Sequence, residues 1–118
     1  MIEVECFPHR FLTIPELIDG KKGKYALNEQ IGQGGNGIVF QARDLSEGDD
    51  VAIKILTNSS RKRIARFLRE IQILKEVNSP SIIRCIDDGH CDINVISGKK
   101  IYNKIHFRCY RIRKNESF

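Results

Sequence analysis

The chain has 118 residues, 41% apolar and 30% charged, with four cysteines and a net charge of +5. That length makes one domain or part of one, and no run of about 18 apolar residues is present, which excludes a helical membrane span. The N-terminal Met1-Ile2-Glu3-Val4-Glu5 is acidic and no apolar stretch follows it, unlike a secretory signal, so a cytoplasmic location is expected.

The charge is unevenly spread. Residues 99–118 hold seven Lys/Arg and one acid, whereas the other 98 residues hold 13 basic and 14 acidic side chains. A nucleic-acid partner would have to bind the tail and has only its charge to recommend it. Cys6, Cys85, Cys91 and Cys109 form no C-x-x-C pair and no zinc-like spacing with His9, His90 or His106, so they read as free or buried thiols in a reducing compartment.

In chain order, residues 1–24 read as a leader: an apolar piece (Phe11, Leu12, Ile14, Leu17, Ile18) and then the polar turn Asp19-Gly20-Lys21-Lys22-Gly23-Lys24. Tyr25 to Ile31 reads as a first strand, Gly32-Gln33-Gly34-Gly35-Asn36-Gly37 as a glycine-dense turn, and Ile38 to Arg43 as a second strand. Ser46 to Asp50 forms another turn before a third strand, Val51-Ala52-Ile53-Lys54-Ile55-Leu56. The period then changes. Ile64, Phe67, Leu68, Ile71, Leu74 and Val77 fall at steps of three and four, which predicts an amphipathic helix capped by Ser59 or Ser60 and ended by Asn78-Ser79-Pro80. Ile82 to Ile86 predicts a fourth strand, and the alternating Ile105 to Cys109 is a candidate fifth.

Gly32-x-Gly34-x-x-Gly37 matches G-x-G-x-x-G, a pattern shared by unrelated phosphate sites. A dinucleotide fold needs a helix directly after the glycines, but Ile38-Val39-Phe40 favours a strand. A Walker A loop needs Gly-Lys-Ser/Thr, and Ile38 follows Gly37. What remains is a strand–loop–strand hairpin whose backbone can close over phosphate oxygens; a ligand-free tight hairpin fits the same glycines. Lys54 is a lone charge in an apolar strand, sharing a face with Ala52 and Leu56, and burial would require an anionic partner. Glu70 borders the helix's apolar face and can reach the sheet to pair with Lys54; a surface pairing with Arg66 or Arg69 is the other option.

Taken together, Ile31 to Val39, Val51-Ala52-Ile53-Lys54, Phe67-Leu68-Arg69-Glu70-Ile71 and Asn78 to Ile83 resemble the small lobe of the protein kinase family, over roughly Tyr25 to Gly89. The resemblance implies an α+β fold, with an antiparallel sheet of four to five strands packed with one helix and truncated before the large lobe. Residues 25–91 would form the lobe and 92–118 a basic divergent tail. It also implies ATP as ligand. The backbone of Gly32, Gln33, Gly34, Gly35, Asn36 and Gly37 would cover the phosphates, and Ile31, Val39 and Ala52 would roof the adenine. Lys54 would contact the α- and β-phosphates, held by Glu70. Asn36 departs from the aromatic or serine common at the loop tip.

The family's His-Arg-Asp and Asp-Phe-Gly stretches, which supply the base and the metal ligands, do not occur in these 118 residues. Phosphotransfer to protein hydroxyls by this chain alone is therefore not expected, and Mg would need the large lobe. One expectation is a truncated serine/threonine kinase, read out of frame from about residue 92. Another is a non-catalytic interaction module whose basic strand, through Arg108, Arg111 and Arg113, binds an acidic partner or a separate large lobe.

Overall fold

A computed structural model describes residues 2–6, 10–33, 37–57, 60–76, 84–95 and 102–111. Eight strands and one helix follow one another: β1 (Ile2–Cys6), β2 (Arg10–Ile14), β3 (Leu17–Asp19), β4 (Lys24–Gln33), β5 (Gly37–Asp44), β6 (Asp50–Leu56), α1 (Arg61–Glu76), β7 (Cys85–Val95) and β8 (Tyr102–Arg111). All strands join one antiparallel sheet in the order β1-β2-β7-β8-β6-β5-β4-β3. The sheet curls, so that the turn after edge strand β3 meets β7, where the Lys21 amide donates to the Asp88 carbonyl at 2.9 Å.

The strand periods explain the two faces. Ile38, Phe40 and Ala42 of β5 alternate inward, as do Val51, Ile53 and Ile55 of β6 and Ile105, Phe107 and Cys109 of β8. They form the main core with Ile14, Ile18, Tyr25 and Leu27. Strand β6 is flanked by β5 and β8 and covered on both faces, which accounts for its nearly unbroken apolar run. On the other face, Leu56 and Cys85 pack with Phe67 and Ile71 of α1.

Ser60 caps helix α1, its hydroxyl accepting from the Arg63 amide at 3.3 Å; Ser59, the other candidate cap, lies outside the described residues. No acid lies in its first turn, and Arg61, Lys62 and Arg63 oppose the helix dipole there. That costs about 0.3–1 kcal/mol per charge. Burial of Phe67 and Ile71, worth about 1.5–3 kcal/mol each, outweighs it, so packing rather than local preference holds the helix.

The sheet extends beyond the four to five strands expected. The leader contributes β1, β2 and β3, because its apolar residues (Ile14 and Ile18 among them) fill the concave core. The fourth predicted strand, Ile82 to Ile86, corresponds to β7, which starts at Cys85 and continues to Val95 because β8 pairs with it throughout; residues 82 and 83 lie outside the described residues. Leu68 is 42% exposed rather than part of the helix's buried stripe, since it is offset by one residue from the line through Ile64, Phe67, Ile71 and Leu74. Val77 lies outside the described residues.

Candidate functional site

The antiparallel register lines up a row of residues across the helix-bearing face. Gly32 of β4 pairs with Val39 of β5, Val39 with Lys54 of β6, and Lys54 with Arg108 of β8. A neighbouring row holds Gln41, Ala52 and Tyr110. Directly opposed residues share a face, so Val39, Ala52 and Lys54 sit together on the side that Leu56 shares with α1. Ala52 is buried, Val39 and Lys54 are half-buried, and Ile31 is 37% exposed at the bulge between Gln30 and Gly32.

The glycine hairpin is anchored at both ends. Gly32 closes the β4 side opposite Val39. At Gly37 an added Cβ would lie 2.2 Å from the Ile55 carbonyl oxygen, so β6 can pass this close only because the third glycine has no side chain. Gln33 reaches back, its amide donating to the Glu5 carbonyl at 3.3 Å. Gly34, Gly35 and Asn36, expected over the phosphates, lie outside the described residues.

The ion pair differs from the expected one. Glu70 accepts from Arg108, Nη1 to Oε2 at 2.9 Å, and forms no ion pair with Lys54. Neither is Arg66 or Arg69 its partner. The reason is geometric: Arg108 stands directly opposite Lys54 on the adjacent strand, and its longer planar head reaches the helix carboxylate first. Its guanidinium lies 4.7 Å from the Phe67 ring centre and 5.6 Å from that of Tyr110. Burial lowers the Lys54 ammonium below its ordinary value, the nearby Arg108 charge adds to this, and Glu70 works against both. Arg108 is also only 7% exposed, so it does not present to an acidic partner as expected from the tail's charge. Residues 112–118, including Arg113, lie outside the described residues.

A second polar cluster, unmarked in the sequence, holds the lobe's first turn. Asp87 is 1% exposed. It accepts from the Tyr25 hydroxyl at 2.6 Å, from the Lys22 and Gly23 amides at 3.2 Å, and from the Asp88 amide at 2.8 Å. A Cβ at Gly20 would lie 2.2 Å from its Oδ2, so the turn seats on the carboxylate only with glycine there. Asp88 binds Lys75 at the end of α1 and Lys21 at 3.0 Å. The turn before β4, the end of the helix and strand β7 are thereby tied to one Asp-Asp pair. Its only sequence signal was two adjacent acids followed by Gly89, just past the predicted fourth strand.

Among the described residues Lys54 is a half-buried cation without a bonded carboxylate, next to a hairpin whose backbone approaches β6 closely, and Val39 and Ala52 offer an apolar surface beside it. Among the described residues, no three His, Cys, Asp or Glu side chains are grouped to hold a metal ion.

The family model for the protein kinase domain matches residues 25–96. The chain belongs to the protein kinase family. Cyclin-dependent kinase D-1 of Arabidopsis thaliana is 42% identical over 66 residues, 54% of this chain and 17% of that protein. The chain thus covers under a fifth of the length of that kinase. The curled antiparallel sheet with one helix is consistent with a kinase small-lobe fragment. No helix among the described residues is long and apolar enough to cross a membrane.

Proposed function

We propose that the sheet face carrying Lys54 binds ATP, as the nucleotide lobe of a serine/threonine protein kinase. The observation that carries this reading is the position of Lys54: half-buried, directly opposite Val39 of the glycine hairpin, on the sheet face that carries α1, and with no carboxylate bonded to it among the described residues. Lys54 would hold the α- and β-phosphates, the backbone from Gly32 to Gly37 would cover them, and Ile31, Val39 and Ala52 would lie over the adenine. ATP supplies the phosphoryl group; transfer to a protein hydroxyl rests almost wholly on positioning and charge, and the base and metal ligands would come from a large lobe. The free, buried thiols Cys85 and Cys109 suit a reducing compartment such as the cytoplasm.

Titrating the 118-residue chain with a fluorescent ATP analogue tests the reading. Weak, saturable binding that Lys54→Met abolishes is the expected result. Equal binding by wild type and Lys54→Met would overturn it. A submicromolar, magnesium-dependent constant would contradict the view that half of the site belongs to another lobe.

A further inference from the structure

We propose that Arg108 is a positioning residue that competes with Lys54 for Glu70 and thereby sets how firmly the nucleotide face can hold phosphate; this rests on the ATP reading above. Lys54 and Arg108 are directly opposed on neighbouring antiparallel strands and share the face that α1 covers. Like charges so placed repel, and a carboxylate between them decides which one is neutralised. Glu70 is bonded to Arg108 at 2.9 Å. Among the described residues the other neighbouring acid is Asp88, which pairs with Arg108 in the β7–β8 register, yet its carboxylate is taken by Lys75 and Lys21. On the β5 side, the residue opposite Lys54 is the uncharged Val39. Glu70 is therefore the carboxylate for which the two cations contend.

The winning contact is not a closed one. Arg108 reaches Glu70 through one nitrogen, and its buried Nε has no hydrogen-bond partner. Stacking on Phe67 and Tyr110 holds the guanidinium in place instead. Glu70 itself is nearly half exposed, so its carboxylate is free to turn towards either cation. With Glu70 held by Arg108, no bonded carboxylate among the described residues fixes the Lys54 ammonium at the end of its four-carbon stem. With Glu70 released, the same ammonium would be fixed in advance of phosphate binding, which lowers the ordering cost of binding.

A double-mutant cycle on the full 118-residue chain tests this, read by the pH titration of the Lys54 ammonium by NMR on lysine-labelled protein, with Lys54→Met assigning the signal. Arg108→Met and Arg108→Leu are both made, so that poor folding of one leaves the other. Removing Arg108 should raise the Lys54 pKa, and the rise should be larger with Glu70 present than in the Glu70→Gln background. Equal rises in the two backgrounds would mean plain charge repulsion and overturn the competition. ATP-analogue affinity should improve roughly tenfold in the Arg108 variants; weaker binding would overturn the proposed direction. If the cycle is unequal while no variant binds nucleotide, the competition stands and the ATP reading falls.

Discussion

Replacing Asp87 by alanine should cost this lobe a large share of its stability. The carboxylate is 1% exposed and has four donors aimed at it. Two of these, the Tyr25 hydroxyl at 2.6 Å and the Asp88 amide at 2.8 Å, lie in buried surroundings where water cannot replace the lost acceptor. Each such bond to a charged group is worth about 1.5–3 kcal/mol. The Lys22 and Gly23 amides, at 3.2 Å in a turn near solvent, can turn to water and add little. The sum is about 3–6 kcal/mol, against a typical stability of about 5–15 kcal/mol for a whole domain. Urea unfolding followed by circular dichroism measures it. Tyr25→Phe alone should cost about 1–2 kcal/mol, because three amide donors still hold Asp87. The double variant should cost less than the two single changes added together, by about 1–2 kcal/mol, since no stranded phenol remains. A loss below about 1 kcal/mol for Asp87→Ala, or strict additivity with Tyr25→Phe, would refute the anchoring role.

Three further outcomes follow from the same geometry. Lys54→Met should leave the ligand-free chain as stable or slightly more stable, by roughly 0.5 kcal/mol, because it removes a cation disfavoured by burial and by Arg108; a clear loss in the urea midpoint would contradict this. Burial pushes the Asp88 carboxyl up, and hydrogen bonds from Lys75 and Lys21 more than reverse it, so its folded pKa is depressed. Its stabilising effect is present above the unfolded carboxylate value of about 3.9 and is lost as pH falls through the folded one. The melting-temperature gap between wild type and Asp88→Asn should therefore close at pH below about 4; a gap that persists in acid would count against the pair. Burial pushes the Cys109 thiol up to about 12 and raises Cys85 as well. Both should resist iodoacetamide at neutral pH until urea is added, as mass spectrometry of each peptide would show. Rapid native labelling of Cys109 would contradict its burial.

The parts of this lobe legible in the sequence are those whose signal is local. The strand pairs around the glycine hairpin show as alternation, β6 as an apolar run, and α1 as steps of three and four, because each pattern records burial on faces the element itself defines. The polar connections are of another kind. Glu70 meets Arg108 across 38 residues, and Asp87 meets Tyr25 across 62. Neither partner carries a local mark: Arg108 sits in a segment whose basic composition suggests an exposed tail, and Asp87-Asp88-Gly89 has the composition of a turn. What decides both is register. Pairing β8 with β6 at Lys54↔Arg108 puts two cations within reach of one helix carboxylate, and the bulge between Cys85 and Asp87 lets Asp87 point into the core while Asp88 faces Lys75. A shift of one residue in β8 would send Arg108 to the core face and away from Glu70. The choice of partner at the Lys54 face is thus made by the pairing of the last strand, and the glycine and lysine motifs, which identify the lobe, carry no information about it.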